Sequence, residues 1–183
     1  TIGGGTLTLT NTTTGTISNG GGTITYGQNF INNGTLNWSD GGLILTGSNF
    51  TNNGTFNITG DVAFTNNPAI QSVFTNSATG IINRTTSTGQ ATLSNTSAIT
   101  VNNSGTINVQ TGTLYFGASG SFGGAFNISS GAVLIVPFAS SYTGTTLTNN
   151  GTVWTPSGGL TNSGTYKGSG GFTGTLFTNT GHV

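Results

Sequence analysis

A seven-residue pattern returns along the whole chain: an apolar residue, a Thr-like residue, Asn, a small polar residue, Gly, Thr and a second apolar residue. Phe50-Thr51-Asn52-Asn53-Gly54-Thr55-Phe56 is the clearest copy; close ones occupy 30–36, 101–107, 147–153 and 160–166, and looser ones begin at Leu9, Phe64, Phe74, Leu93 and Phe177. A chain this self-similar is a repeat architecture, since each unit is too small to bury its own apolar face and must stack on its neighbours.

In every copy Asn-x-Gly lies between two apolar anchors, and Gly and Asn can bend a chain through positive φ at small steric cost. Each copy therefore reads as strand, corner, strand. Strict alternation in Thr6-Leu7-Thr8-Leu9-Thr10, Thr23-Ile24-Thr25-Tyr26, Thr35-Leu36-Asn37-Trp38 and Thr106-Ile107-Asn108-Val109 marks short half-buried strands. The marker residues Asn11, Asn32, Asn52, Asn76, Asn103, Asn127 and Asn149 stand 21, 20, 24, 27, 24 and 22 residues apart, an average near 23. Copies at Asn66, Asn95 and Asn162 fall outside that series and read as a second corner of the same coil. This spacing predicts an all-β fold, a parallel β-solenoid of seven or eight coils with 20–27 residues each. Stacked at about 4.8 Å per coil, it would be a rod of about 35 to 40 Å. An up-and-down sandwich or barrel of hairpins is the competing architecture, favoured locally by short spacings such as Asn95 to Asn103.

In a solenoid, equivalent residues stand above one another. Phe30, Phe50, Phe74, Val101 and Leu147 are then expected in an inward apolar column, and Asn32, Asn52, Asn76, Asn103 and Asn149 in an inward ladder. An Asn amide both donates and accepts, so successive side chains can bond to each other and to corner backbone groups.

Composition narrows the functional classes. Only 2% of residues are charged, namely Asp40, Asp61, Arg84 and Lys167, and Thr outnumbers even the 33 Gly. Thr, Gly and Asn are poor helix formers, so almost no helix is expected. Disorder is opposed by 32% hydrophobic residues, 11 of them Phe, set in period-two runs, and by a formal net charge of +0. That neutrality offers no footprint for nucleic acid or anionic lipid. No apolar run is long enough for a membrane-spanning helix. No Cys is present, and no basic stretch followed by an apolar one precedes the repeats.

The candidates for chemistry are few. Asp40 and Asp61 follow successive motifs and could approach one another, but a lone carboxylate pair is not a complete mechanism. His182 is the only His, without partners for a metal or a nucleophile. The clusters Gly3 to Gly5 and Gly20 to Gly22 lack the Lys of a phosphate loop and read as turns. Asn-x-Ser/Thr sequons such as Asn33, Asn53, Asn57 and Asn150 are expected by chance in this composition. Trp38 and Trp154, with Tyr26 and Tyr142, are expected to pack in the core or at corners, since large aromatics are mostly buried in small cores; if they faced outward they would form a sugar-stacking surface, with Trp38 and Trp154 as ligand contacts. No enzyme, cofactor or metal site is expected.

The Thr-Asn-Asn-Gly-Thr motifs, spread over nearly the whole uncharged chain, resemble the repeats of secreted bacterial surface proteins, the filamentous-haemagglutinin-like and autotransporter-type adhesins. The resemblance implies a right-handed parallel β-helix, export to the cell surface, and a scaffold or adhesive role. On this reading residues 1–183 are one continuous solenoid segment of a surface fibre, filament or adhesin stalk. The last motif stops just after its corner and the first strand lacks a preceding corner, so the ends complement one another. Its expected partners are copies of itself stacked end to end, or further repeats of the same chain. A glycan-binding module using outward aromatic, Asn and Thr rows is the second hypothesis. Ice binding is the third, on the pairs Thr6/Thr8, Thr23/Thr25, Thr111/Thr113 and Thr173/Thr175, which do not recur at one motif position.

Overall fold

The computed structural model describes residues 8–18, 20–66, 70–94, 98–117, 120–137 and 140–183. Thr6, Leu7, the Gly3 to Gly5 cluster and Asn95 lie outside them. The chain is an all-β parallel β-solenoid of about seven coils with about 21 residues each, with no helix among the described residues.

Three short strands make one coil, and like strands of successive coils pair into three faces. The first face is Thr8–Asn11, Asn29–Asn32, Asn49–Asn52, Ser72–Asn76 and Ile99–Asn103. Single bridges from Asn103 to Phe122 and from Phe122 to Tyr142 carry it on to Ser140–Tyr142, Leu160–Asn162 and Phe177–Asn179. The second face is Thr14–Ile17, Thr35–Trp38, Thr55–Ile58, Ile81–Arg84, Thr106–Val109, Ala125–Ile128, Thr146–Asn149 and Thr165–Lys167. The third is Thr23–Tyr26, Gly42–Leu45, Ala63–Asn66, Gln90–Thr92, Thr113–Tyr115, Val133–Ile135, Thr152–Thr155 and Gly171–Gly174. All pairings among the described strands are parallel, which rules out the hairpin-built sandwich or barrel.

The alternation in the sequence becomes the inside and outside of the coil. In Thr35–Trp38, Thr55–Ile58 and Thr106–Val109 the burial alternates half-buried, buried, half-buried, buried. Phe50 stacks on Phe30 below and on Phe74 above, at 5.0 Å each, and Trp38 lies nearly parallel to Phe56 at 6.0 Å. Offset stacks of this kind follow from placing rings at one position of successive coils. Beyond an aliphatic middle that includes Ile82, Leu93, Ile99, Val101 and Ile107, a second aromatic group of Phe116, Phe122, Phe126 and Tyr142 fills the core.

Two expectations need correction. The motif Gly was expected to supply positive φ, yet Gly54, Gly105 and Gly164 are not among the residues with that conformation, and no described Asn is. Their requirement is space. A Cβ on Gly54 would stand 2.1 Å from the carbonyl oxygen of Gly34 one coil below, and on Gly164 1.9 Å from that of Gly144. At these positions the stacked corner backbones leave no room for a side chain.

The second correction concerns register. Along the first face Asn11, Asn32, Asn52, Asn76 and Asn103 are partners in order, followed by Phe122, Tyr142, Asn162 and Asn179. Leu147 and Asn149 do not continue this row. They lie on the second face, Leu147 opposite Phe126 and Asn149 opposite Ile128, and Asn127 is there too, opposite Asn108. Asn162, expected at another corner, belongs to the first-face row. The same motif closes both corners, because each needs an inward Asn to reach corner carbonyls and a Gly to admit the neighbouring coil, so spacing alone let the marker series slip from one face to the next.

Candidate functional site

Four arrangements hold the polar and aromatic side chains that chemistry would use. The first is the inner ladder. The Asn11 Nδ2 donates to Asn32 Oδ1 at 2.7 Å, Asn32 to Asn52 at 2.7 Å, Asn52 to Asn76 at 2.8 Å and Asn76 to Asn103 at 2.7 Å. Asn32, Asn52, Asn76 and Asn103 are fully buried. Each amide also reaches corner backbone, as Asn32 does at the Thr55 carbonyl (2.9 Å) and Asn52 at the Gly54 carbonyl (3.1 Å). Where Phe122 follows Asn103, the amide turns to the Gly123 carbonyl at 2.7 Å. Tyr142 takes the next place, and its hydroxyl lies 2.6 Å from the Gly124 carbonyl and 2.5 Å from that of Thr146. Burial pushes this phenol up to about 12, so it keeps its one proton, which the two carbonyls share. Because Tyr142 is engaged with backbone, the Oδ1 of Asn162 above it has no partner, while its Nδ2 restarts the ladder to Asn179 at 2.7 Å. Asn149, expected in this ladder, instead donates to the Gly171 carbonyl at 3.1 Å and accepts from the Gly151 N–H at 3.1 Å, serving the other corner.

The second arrangement is an ion pair that the sequence reading did not assemble. Arg84 occupies an inward position of the second face between Ile58 and Val109 and is fully buried. Its Nη2 donates to Asp61 Oδ1 at 2.6 Å and to the Gly89 carbonyl at 3.0 Å, and its Nη1 to the Gly60 carbonyl at 2.9 Å. Ser87 donates to the same carboxylate oxygen at 2.6 Å. The Ser87 bond, then the Arg84 bond and charge, hold the Asp61 carboxyl below its ordinary range against the opposing effect of desolvation. Third-face pairing here narrows to the single pair Thr92 with Ala63, so the guanidinium ties together a corner the sheet leaves loose. The other carboxylate, Asp40, accepts from Ser18 at 2.7 Å. Among the described residues no three His, Cys, Asp or Glu cluster as metal ligands.

The sequence matches no protein-family model, and no curated protein or solved structure matches it either.

The tryptophans, expected in the core or at corners with ligand contact as the alternative, part company. Trp38 is fully buried, its Nε1 donating to the Asp40 carbonyl at 3.0 Å and its ring meeting Phe64 edge-on at 4.7 Å. A residue with no exposed surface cannot stack on a sugar, so that assignment is withdrawn. Its position in the strand explains the outcome, since Trp38 alternates in phase with the inward Leu36. Trp154 alternates the other way in Thr152–Thr155 and is 42% exposed.

The fourth arrangement is a second, outward Asn row on the second face. Asn57 donates to Asn37 at 2.8 Å, Asn83 to Asn57 at 2.9 Å, Asn108 to Asn83 at 2.8 Å and Asn127 to Asn108 at 2.9 Å. These amides are half-buried, and they donate toward the preceding coil, the reverse of the inner ladder. Thr-apolar-Asn immediately after the corner is the signal, as in Thr35-Leu36-Asn37, Thr55-Phe56-Asn57 and Thr106-Ile107-Asn108. It is visible in the sequence but masked by the stronger Asn-x-Gly motif beside it.

Proposed function

We propose that this chain is a structural segment of an extracellular surface fibre, filament or adhesin stalk, built to be extended along its axis by further coils or by further copies. The observation that carries this reading is the inner ladder. From Asn11 to Asn103 each coil hands the next the same Asn bond in the same register, and the bond returns from Asn162 to Asn179, so the structural rule repeats without an intrinsic length. The buried polar side chains Asn32, Asn52, Asn76, Asn103 and Asn149 and the hydroxyl of Tyr142 bond to other coils or to corner backbone, and so serve the stack itself. The motif resemblance to secreted adhesin repeats supports a place outside the cell.

Heterologous, non-closing contacts between ends generate filaments. Light scattering and electron microscopy of the whole chain over rising concentration should show rods that lengthen along one axis. Phe177→Lys, which places a charge in the ring stack with Phe172, should stop that growth while leaving the coils folded. Stable monomers at every concentration would remove end-to-end stacking, and flanking sequence without the 21-residue repeat would remove covalent continuation.

A further inference from the structure

We propose that the outward Asn row of the second face binds an extended, uncharged polysaccharide lying along the solenoid axis. The inference is independent of the stalk reading, because it rests on a surface that stacking does not use.

The ladder consumes one N–H and one oxygen lone pair of each interior member, and a primary amide has two of each. Asn57, Asn83 and Asn108 therefore each keep one donor and one acceptor for a ligand, at an orientation fixed by the bonds above and below. Side chains already immobilised lose little entropy on binding. The row repeats at the coil spacing of about 4.8 Å. A ligand that uses it must repeat on a similar step and offer both donors and acceptors, as successive sugar rings of an extended chain do through their hydroxyls.

Charge and continuity narrow the choice. The outward positions in this row carry no charge until Lys167, two coils beyond Asn127, which suits a neutral polymer. The neighbouring outward column is mostly Thr but is broken by Ile81 and Ala125, whereas the Asn row runs unbroken through five coils. The regular feature is a line, which fits a chain better than a two-dimensional crystal plane such as ice. Ile81, 38% exposed beside Asn83, adds an apolar contact for the C–H face of a ring.

Affinity electrophoresis of the whole chain in gels containing glucomannan, xylan or dextran, with pull-down on cellulose, tests this directly. Retention by at least one polymer is expected, and matched oligosaccharides should bind more tightly as they lengthen toward the five-residue row. The triple variant Asn57→Thr, Asn83→Thr, Asn108→Thr uses a residue already present in the same column at Thr16 and Thr148, and should lower affinity by about tenfold or more as multivalent contacts are lost. Trp154→Ala, on another face, should change nothing. Should the triple variant fail to fold by circular dichroism, Thr55→Lys with Thr106→Lys, which flank the row, must weaken retention instead. No retention by the wild type, retention unchanged in a folded triple variant, or loss in Trp154→Ala would each overturn the proposal. So would thermal hysteresis without polysaccharide binding, which would assign the row to an ice lattice.

Discussion

The solenoid contains two Asn ladders with the same residue, nearly the same bond lengths and opposite surroundings. The inner one, Asn11 to Asn103, is sealed among Phe50, Phe74 and Val101, with its Asn32 to Asn103 members fully buried. The outer one, Asn37 to Asn127, is half-buried on the second face. The difference shows that a repeated amide is not a role in itself. Inside, an amide deprived of its neighbour has no water to replace it, so each member is obligatory; outside, water substitutes and the spare hydrogen-bonding capacity is open to a ligand.

The apolar column beside the inner ladder sets the upper bound of the contrast. Phe50→Ala should destabilise by about 3 to 5 kcal/mol, since it empties a ring in contact with four others, and Thr51→Ala on the opposite side of the strand by under about 1 kcal/mol. Urea unfolding of both variants measures it; equal losses would mean that the alternation does not govern the energetics.

The ladders themselves come next. Asn52→Ala should cost roughly 1 to 3 kcal/mol, because it leaves one N–H of Asn32 and the Oδ1 of Asn76 without a partner in the core, while Asn32 keeps the Thr55 carbonyl. The same measurement on Asn57→Ala should fall within about 0.5 kcal/mol of wild type, since its neighbours Asn37 and Asn83 remain open to solvent. If Asn57→Ala proved as costly as Asn52→Ala, burial would not be what separates the two ladders.

A smaller, pH-dependent effect is expected at the Arg84 corner. A carboxyl held below its ordinary range contributes stability that is complete above the unfolded value and disappears as pH falls through the lowered folded value. Thermal melts should therefore show the wild type losing stability on strong acidification, and Asp61→Asn should be less stable at neutral pH with a flatter acid limb. The difference is modest because Asp61 is 48% exposed and Arg84 keeps the Gly60 and Gly89 carbonyls. Arg84→Met should lose more than Asp61→Asn by the same melts, since it leaves the Gly60 and Gly89 carbonyls without their donor and removes the tie across that corner.

Smallest of all, and a sharp test of facing, is the pair of tryptophans. Iodide quenching of fluorescence should reach Trp154 and spare Trp38, so that Trp154→Phe removes nearly all of the quenchable signal.

The repeat by itself determined the class of fold. Period-two alternation decides which residues point inward, and recurrence of one corner motif over some twenty residues leaves parallel stacking as the way to bury them. The identity of the inner ladder was legible from Asn32 to Asn103 for the same reason. Tertiary structure alone decided the rest. Two corners of the coil pose one physical problem, so they share one motif, and only strand register tells that Asn149 closes the second corner while Asn162 closes the first. The pairing of Arg84 with Asp61 spans 23 residues and depends on which coil lies beneath, information that no local pattern carries. Burial of Trp38 and exposure of Trp154 were in principle readable from alternation, but only once each strand's phase was anchored to a core that the coils create by stacking.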